Sequence, residues 1–275
     1  MPSGTPVVTT VIRAYNRRDR ISVTIRSALN QTLTDQPIIV VDDASTDGTA
    51  DAVRQEFGDR VQVIEHAANK GPGGTANTGL NAVTTPFTAF LDSDDRWAPE
   101  YLETMLGAFR DNPGTTFAYC DLRRSFSALD MDRPAECQPP STILQNLAGP
   151  AVTMSLVVVR TRTARAAGGF TETQRIGEDF DFYMRMWLKA PDSFVHVPKI
   201  MVEYENWSGG ITKDTDAFLQ HVFYHVDKFL REPAFAHLAD SKAEILSRRS
   251  FGIAANREVD NEVDHPVAGS RKRVF

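Results

Sequence analysis

The sequence predicts an α/β fold with a mostly parallel central sheet. In the first half of the 275-residue chain, short apolar segments alternate four times with segments of helical pattern. This alternation is typical of βαβ units, in which the strands run parallel and helices cover the sheet. The strands are expected at 7–12, 37–41, 61–65 and 86–91, and the helices that follow them at 19–30, 48–57, 74–83 and 99–110.

The second half of the chain has a different pattern. Residues 121–150 are rich in Pro, Arg and Ser and are expected to form a long irregular connection. Residues 177–190 are apolar on nearly every side, which predicts a buried helix, and residues 214–248 also have a helical pattern. Strand signals occur at 154–159, 193–197 and 200–204. The apolar stripe of the last helical region consists of Phe218, Val222, Phe223, Val226 and Phe229.

Composition narrows the classes of function. Hydrophobic residues make up 41% and charged residues 24% of the chain, as in ordinary globular proteins. The net charge of −6 argues against a nucleic-acid partner, because such proteins present a basic face. Cys120 and Cys137 cannot build a disulfide framework or a zinc site, so a cytoplasmic protein is expected. The longest apolar run, 151–159, is too short to span a bilayer, which leaves only a peripheral position at the inner membrane face open.

Three aspartates follow directly on the strand expected at 86–91, in the segment LDSDD. Carboxylates this close repel one another unless a positive charge lies among them. Because parallel strands end at the same edge of a sheet, Asp92, Asp94 and Asp95 are expected at the ligand-binding edge. Such a group favours Mg²⁺ or Mn²⁺, which takes one or two protein carboxylates and completes its shell with phosphate oxygens. The alternative is an acidic turn that caps the helix beginning near Pro99.

The same edge receives residues from two other strands. Tyr15 follows the first strand, and the segment VVDDASTDGT places Asp42 and Asp43 at the end of the second. Turn and capping chemistry explains the residues from Ser45 onward. It does not require two consecutive acids, so Asp43 is predicted to contact a ligand.

The segment NKGPGGTAN contains a glycine pattern that matches a dinucleotide-binding fingerprint. Gly71, Gly73 and Ala76 satisfy it, and Asp92 lies about 20 residues further on, where a ribose-binding acid belongs. The first glycine, however, lies several residues past the strand, whereas the fingerprint needs it in the tight turn itself. A dehydrogenase is therefore rejected. Lys70, in the same segment, either reaches a phosphate or is an exposed loop residue.

Glu178 and Asp179 lie at the start of the buried helix. Acids in a first turn stabilise the helix dipole by about 0.3–1 kcal/mol each, which is one explanation for them. A carboxylate at the mouth of a largely apolar element can also act as a general base, and spacing alone does not decide between the two. His221 and His225 have the i, i+4 spacing of metal ligands, but packed or solvated helix faces show the same spacing.

Together these motifs resemble the family 2 glycosyltransferases, which have the GT-A fold. The resemblance runs through VIRAYNRRDRISVTIRSALNQT, IIVVDDASTDGT, NKGPGGTANTGLNA, FLDSDDRWAPEYLE and GGF…GEDFDFYMRMW. It covers about residues 7–205 in the family's order and spacing. It implies a Rossmann-like sandwich with C-terminal helices. It also implies transfer of a sugar, with inversion, from a nucleotide diphosphate (UDP being usual) to an acceptor hydroxyl.

The resemblance assigns roles at the donor side of the site. The family's acid that contacts the nucleotide base falls on Asp43, with Tyr15 beside it. Its metal motif falls on the segment DSD, which places Asp92 near the ribose. The ligand of Mn²⁺ or Mg²⁺ is then expected to be Asp94 or Asp95.

The resemblance also assigns the reacting side and exposes two departures from the family pattern. The general base falls on Asp179, with Glu178 as the fallback. Arg13 and Ala14 lie where the family usually has Pro or Thr-like residues, and Ala76 lies where it commonly has Arg. We hypothesise that Arg13 supplies to the donor the charge that Ala76 has lost. Trp207, in a loop where the family often has a His, is expected either to stack on an acceptor sugar or to pack internally.

These expectations divide the chain into a donor half at 1–120, an acceptor and catalytic half at 121–213, C-terminal helices at 214–255 and a mobile tail at 256–275. The partners would be a nucleotide sugar and an acceptor carbohydrate, lipid-linked sugar or small aglycone, with a homodimer left open. Two other functions stay in view. A nucleotidyltransferase would need a glycine-rich basic loop, which 11–17 lacks. The pair Glu178 and Asp179 argues against a module that only binds sugar nucleotides.

Overall fold

The computed structural model describes residues 6–126, 131–135, 152–205 and 215–247. Its first half alternates strands and helices as the sequence predicts, with boundaries that agree within one helical turn. The strands are β1 (Val8–Ala14), β2 (Ile38–Asp42), β3 (Gln62–Glu65) and β4 (Phe87–Asp92). The helices are α1 (Ile21–Leu29), α2 (Thr49–Phe57), α3 (Gly71–Ala82) and α4 (Tyr101–Asp111).

Five further strands, of which β5 lies between β4 and α4, and the helices after α4 complete the described fold. Residues 242–247 are also helical. The strands are β5 (Arg96–Trp97), β6 (Phe117–Phe126), β7 (Met131–Ala135), β8 (Val157–Arg160) and β9 (Phe194–Glu205). The helices are α5 (Thr161–Ala166), α6 (Glu178–Lys189) and α7 (Thr215–Leu230). Short 3₁₀ segments lie at Gly58–Arg60, Met154–Leu156, Pro191–Ser193 and Pro233–Ser241.

The described strands form one sheet in the order β3-β2-β1-β4-β8-β6-β9-β5, with β7 paired to β6. The first four strands pair in parallel, as the sequence predicts. Beyond β4 the sheet is mixed, because β8 runs antiparallel to both of its neighbours whereas β6 and β9 are parallel. The α/β class is therefore confirmed, and the prediction of a mostly parallel sheet holds for the first half only.

The parallel strands form the centre of the hydrophobic core. Val11, Ile12, Val40 and Phe90 have no exposed surface, and neighbouring residues of each strand are buried alike. Burial without alternation is expected when helices cover both faces of a parallel sheet. This rigid centre holds the carboxyl ends of β1, β2 and β4 side by side.

The prediction of an irregular connection over 121–150 is wrong for its first part. Strand β6 continues to Phe126, and β7 pairs with it antiparallel in a regular register. The charges of Arg123 and Arg124 hide the strand pattern in the sequence, and the pairing with β9 supplies what the local signal lacks. Residues 127–130 and 136–150 of that prediction lie outside the described residues.

The two short strands expected at 193–197 and 200–204 are one strand, β9. Its register against β6 shifts between Cys120 and Asp121, so that Pro198 and Lys199 have no partner residue across the ladder. Proline cannot donate to a ladder and is tolerated at such bulges, which explains why the strand continues past it.

The C-terminal helix packs on the helix that begins with Glu178. Phe180 and Met184 of α6 form a second apolar cluster with Val222, Val226 and Phe229 of α7. The predicted stripe is thus largely confirmed, but Phe223 is 49% exposed and lies outside the cluster. The side chain of Phe218 and the tail at 256–275 lie outside the described residues. In the described part of the chain, no helix has the length and apolarity needed to cross a bilayer.

Candidate active site

The strand-end acids are partly neutralised by an arginine from the adjacent strand. Arg13 lies opposite Asp92 in the register of β1 and β4. Its Nε and Nη2 donate to Asp92 Oδ1 at 3.0 and 2.5 Å. Asp92 Oδ2 accepts no hydrogen bond from another described residue. The repulsion among the carboxylates of the LDSDD segment is therefore partly balanced by the positive charge of Arg13.

The same arginine reaches the start of α6. Its Nη1 donates to Glu178 Oε1 at 2.7 Å and to the Pro72 carbonyl at 3.4 Å. The Arg13 side chain is only 14% exposed. Burial acts to lower the pKa of Arg13, but the charges of Asp92 and Glu178 outweigh it and raise that pKa above its ordinary value. Arg13 therefore stays protonated and joins β1, β4, α3 and α6.

Asp179 is the acid in this group whose properties suit proton transfer. It is half-buried, and the only hydrogen bond to its carboxylate from the described residues is donated by the neighbouring Phe180 amide, at 2.6 Å. Burial and then the nearby charge of Glu178 raise the pKa of Asp179 to about 7. Glu178, in contrast, is buried and ion-paired. The structure thus separates two acids that the sequence left equivalent.

Asp94 and Asp95 differ sharply in their surroundings. Asp95 has no exposed surface, and its two oxygens accept hydrogen bonds from Ser155 Oγ at 2.5 Å and the Glu205 amide at 3.2 Å. Burial, and then the charges of Asp94 and Asp92, raise the pKa of Asp95 well above its usual range. The Asp94 side chain is 19% exposed and lies 3.7 Å from Arg17 Nη2. Asp94 is therefore the better placed of the two for a metal ion.

Asp43 orders the loop that leads into α3. It is 3% exposed, and its carboxylate accepts hydrogen bonds from the Lys70 and Gly71 amides at 2.8 and 2.9 Å. His66 Nδ1 also hydrogen-bonds Asp43, at 2.7 Å. Asp43 is the second of two consecutive acids, and turn chemistry alone does not explain it. Its carboxylate binds backbone amides of the loop before α3. Its predicted contact with a nucleotide base stays a prediction.

Tyr15 and Lys70 are the accessible members of the predicted donor site. The Tyr15 side chain is 47% exposed directly after β1. Lys70 is exposed, and its ammonium forms no ion pair with another described residue. Two residues that lie between them in the sequence, Asn16 and Ala44, have φ angles of 51° and 60°. Non-glycine residues in this region are strained, and such strain is common at binding sites.

The glycines of NKGPGGTAN serve packing and turn formation. Gly71 has a φ of 75°, which glycine adopts without strain, and a Cβ on Gly73 would lie 2.0 Å from the Thr171 carbonyl. Ala76, on the same helix, has no exposed surface. These constraints explain the glycine pattern without a dinucleotide and agree with the rejection of a dehydrogenase.

Sequence reasoning missed two residues that hold the site acids. Ser155 accepts a hydrogen bond from the Asp92 amide at 3.0 Å while it donates to Asp95. The signal was a polar residue inside the apolar run at 151–159. His66 bonds both Asp43 and Thr78 Oγ1, the latter at 2.8 Å, and only its position just past β3 could have indicated this role.

Two other predicted sites have different outcomes. Within the described ranges, no group of three or more His, Cys, Asp or Glu side chains could hold a metal ion by itself. This favours packing for His221 and His225, whose rings lie 5.7 Å apart and close to Gly177. Burial lowers the pKa of His221. Trp207 lies outside the described residues.

Comparison with known proteins identifies relatives of the chain. The family model described as "Glycosyl transferase family 2" matches residues 9–157. The putative teichuronic acid biosynthesis glycosyltransferase TuaG of Bacillus subtilis is 37% identical over 108 residues, which are 38% of this chain and 43% of TuaG. An uncharacterized glycosyltransferase of Haemophilus influenzae is 27% identical over 245 residues, which are 86% of this chain and 81% of that protein. The match therefore spans less than half of TuaG.

Solved structures give the same fold. Staphylococcus aureus TarS 1-349 in complex with UDP-GlcNAc aligns with a TM-score of 0.69 at 19% identity, over 88% of this chain and 71% of that chain. Mannosyltransferase PcManGT from Pyrobaculum calidifontis in complex with GDP-Man and Mn²⁺ aligns with a TM-score of 0.66 at 20% identity, over 98% of this chain and 78% of that one. The predicted GT-A fold is thereby confirmed.

Proposed function

Because the chain belongs to glycosyl transferase family 2, we propose that it transfers a sugar from a nucleotide diphosphate to an acceptor hydroxyl, with inversion at the anomeric carbon. The observation that carries the proposal is the division of the site into two acidic groups. One is Asp179, whose pKa is raised to about 7, and the other is the strand-end group of Asp92 and Asp94. Inverting transfer needs a base on one side of the sugar and a clamp for the leaving diphosphate on the other.

We place the donor at the carboxyl ends of β1, β2 and β4. The exposed Tyr15 ring would stack on the nucleotide base, and Asp43 would contact the base or hold the loop around it. Asp92 Oδ2 would accept a ribose hydroxyl, and the Lys70 ammonium would reach a diphosphate oxygen. The structural neighbours TarS and PcManGT were solved in complex with UDP-GlcNAc and GDP-Man, which supports a nucleotide sugar as donor. UDP is the nucleotide expected from the family resemblance.

A divalent cation, Mn²⁺ or Mg²⁺, fits the exposed side of the strand-end acids. The negative charges of Asp94 and Asp92 raise the pKa of Asp95 beyond the effect of its burial, so this corner attracts a cation. Such an ion takes one or two carboxylates and completes its shell with phosphate oxygens, which agrees with the few protein ligands available here. Asp94 would hold it, and the bound ion would neutralise charge that builds on the leaving diphosphate. PcManGT was solved with Mn²⁺.

Asp179 would remove the proton from the attacking hydroxyl. Its carboxylate can take up a proton at neutral pH because burial and Glu178 raise its pKa to about 7. Glu178 is the weaker candidate, since its Oε1 already accepts the Arg13 hydrogen bond at 2.7 Å. The acceptor hydroxyl would approach from the face of the sugar opposite to the diphosphate.

The acceptor is proposed as a class only. We favour a carbohydrate or lipid-linked sugar over a small aglycone, and the name of TuaG refers to teichuronic acid biosynthesis. Trp207 stays a candidate for stacking on the acceptor. A cytoplasmic location and a homodimer also stay proposals, as does the absence of a nucleic-acid partner.

A thermal-shift panel tests the proposal. The chain would be melted with nucleoside diphosphates and their sugars, each with Mn²⁺, Mg²⁺ or a chelator. A ligand that binds the folded state raises the melting temperature, so one base and one sugar are expected to stabilise selectively and only with metal. The best donor would then be incubated with a set of acceptors, and release of nucleoside diphosphate measured. No stabilisation by any sugar nucleotide would contradict the proposal.

The same panel distinguishes the two alternatives. A nucleotidyltransferase would be stabilised by a nucleoside triphosphate and a sugar phosphate. A module that only binds sugar nucleotides would bind the donor but release no nucleoside diphosphate with any acceptor. The half-buried Asp179 argues against that module, because binding alone does not need an acid with a pKa of about 7.

A further inference from the structure

Arg13 is the residue through which the two halves of the site are connected. Its guanidinium bonds Asp92 at the end of β4 and Glu178 at the start of α6, which are separated from it by 79 and 165 residues of sequence. It also bonds the Pro72 carbonyl in the first turn of α3. It therefore bonds Asp92 of the strand-end group and Glu178, the residue directly before Asp179.

The guanidinium has little capacity left for a phosphate. Arginine carries five N–H donors. Four contacts to the chain are made from Nε, Nη1 and Nη2: two to Asp92 Oδ1, one to Glu178 Oε1 and one to the Pro72 carbonyl. The side chain is also only 14% exposed. These contacts leave one N–H, on Nη2, so any contact with the donor's diphosphate beyond that single donor would require Arg13 to give up a buried ion pair.

The Glu178 bond fixes the position of the neighbouring residue Asp179. Glu178 is 6% exposed, and its side chain holds the first residue of α6 against the ends of β1 and β4. Gly177, directly before the helix, has a φ of 78°, so the chain turns sharply there. A side-chain bond at this turn determines where the next carboxylate lies relative to the strand-end acids.

We propose that Arg13 is a positioning residue that fixes Asp179 relative to the donor through the Asp92–Arg13–Glu178 bridge, and that it makes no direct contact with the donor phosphates. This inference depends on the proposed sugar transfer, in which Asp179 is the base. It replaces the hypothesis that Arg13 supplies charge to the donor in place of Ala76. A fixed distance between the base and the donor matters because a displacement of about 1 Å can lower the rate about 100-fold.

The experiment compares variants at both ends of the bridge. Arg13→Lys keeps the positive charge but has one ammonium, which cannot bond both acids with the geometry of the guanidinium. Arg13→Gln and Glu178→Gln remove one charge each, and the double variant removes both, which leaves Asp92 as the charged member of the bridge. Arg160→Lys is the matched control. Arg160 lies in the same sheet opposite Phe87, at the other end of β4, and bonds only backbone carbonyls among the described residues.

For Arg13→Lys, kcat is expected to fall about 10- to 100-fold. Its Kd for the nucleoside diphosphate that the wild-type protein binds best should change less than about twofold. The losses from Arg13→Gln and Glu178→Gln should not add in the double variant, because both break the same bridge. Arg160→Lys should keep the wild-type kcat and Kd. Thermal melting of each variant establishes that the folded protein is measured.

Three outcomes would overturn the inference. A tenfold or greater loss of nucleoside diphosphate affinity in Arg13→Lys, with kcat kept, would show that Arg13 binds the phosphates. Wild-type kcat in Arg13→Lys, or fully additive losses in the double variant, would remove the bridge from the mechanism. A wild-type protein that turns over no sugar nucleotide with any acceptor would instead remove the proposed function together with this inference.

Discussion

The two acidic segments that meet at the site differ in how their carboxylates are bonded. At the end of β4, Asp95 is fully buried and accepts hydrogen bonds at both oxygens, and Asp92 is paired with Arg13. At the start of α6, Glu178 takes the same arginine, but among the described residues Asp179 accepts only the amide of its neighbour. At the end of β4, Asp92 and Asp95 are bonded by other residues of the chain. At the start of α6, Asp179 is left available for proton transfer.

This difference separates structural from reactive acids. A buried carboxylate that lacks a partner resists ionisation, so its pKa moves toward neutral pH, where a general base works best. A carboxylate bonded by amides and hydroxyls instead stabilises the fold. The same residue type therefore has different roles within one site, and each role can be tested by substitution.

The largest effect is expected from Asp179→Asn. The amide keeps the shape of the side chain but cannot accept the proton of the attacking hydroxyl, so kcat should fall about 10²- to 10⁴-fold. Donor affinity, measured by titration with the nucleotide sugar, should stay near that of the wild type because Asp179 is assigned no donor contact. Full turnover by the variant would contradict the assignment of the base.

Asp94 and Asp95 offer a comparison within one segment. Asp94→Asn is expected to lower metal-dependent transfer roughly 100-fold or more, because it removes a ligand of the ion that neutralises the leaving diphosphate. Asp95→Ala should keep the dependence on Mn²⁺ concentration and lower the free energy of unfolding by about 1–3 kcal/mol, because Ser155 Oγ and the Glu205 amide lose their acceptor. Metal titrations and urea unfolding of both variants measure this. The reverse pattern would make Asp95 the ligand.

The pH dependence of kcat/KM should follow Asp179. Since the base must be unprotonated and its pKa is raised to about 7, the rate should rise about tenfold per pH unit below that value and level off above it.

The contribution of Asp179 to the free energy of unfolding changes with pH in the opposite direction to the rate. It is present below the ordinary carboxyl pKa and is lost as pH rises through about 7, because the folded state binds the proton more tightly. Asp179→Asn should therefore gain stability over the wild type most clearly above pH 7, and a flat profile would exclude this base.

The smallest effect is expected at Asp43. Asp43→Ala removes the carboxylate that the Lys70 and Gly71 amides and His66 Nδ1 bond, so the free energy of unfolding should fall by about 1–3 kcal/mol. Asp51→Ala, whose wild-type side chain is 90% exposed, is the control and should change it by less than about 0.5 kcal/mol. Unchanged stability together with lost donor affinity would make Asp43 a ligand contact alone.

The parallel half and its site edge were predictable because their causes are local. Each βαβ unit buries its own apolar segments, so β1 to β4 appear in the hydrophobic pattern. Parallel strands share one edge, and this places Asp43 and Asp92 together without knowledge of side-chain contacts. Strand β6 escaped prediction because Arg123 and Arg124 mask its pattern and its place depends on β9, more than 70 residues later.

The sequence by itself determined the α/β class, the strand ends that carry the site and the residue types available for metal and proton chemistry. Only the tertiary structure decided which of the two adjacent acids, Glu178 or Asp179, is ion-paired and which can accept a proton. Arg13 bonds Glu178 across 165 residues and leaves the adjacent Asp179 without such a partner. Burial and then the charge of Glu178 raise the pKa of Asp179, and the long-range Arg13–Glu178 contact has no counterpart in the local pattern of the segment GED.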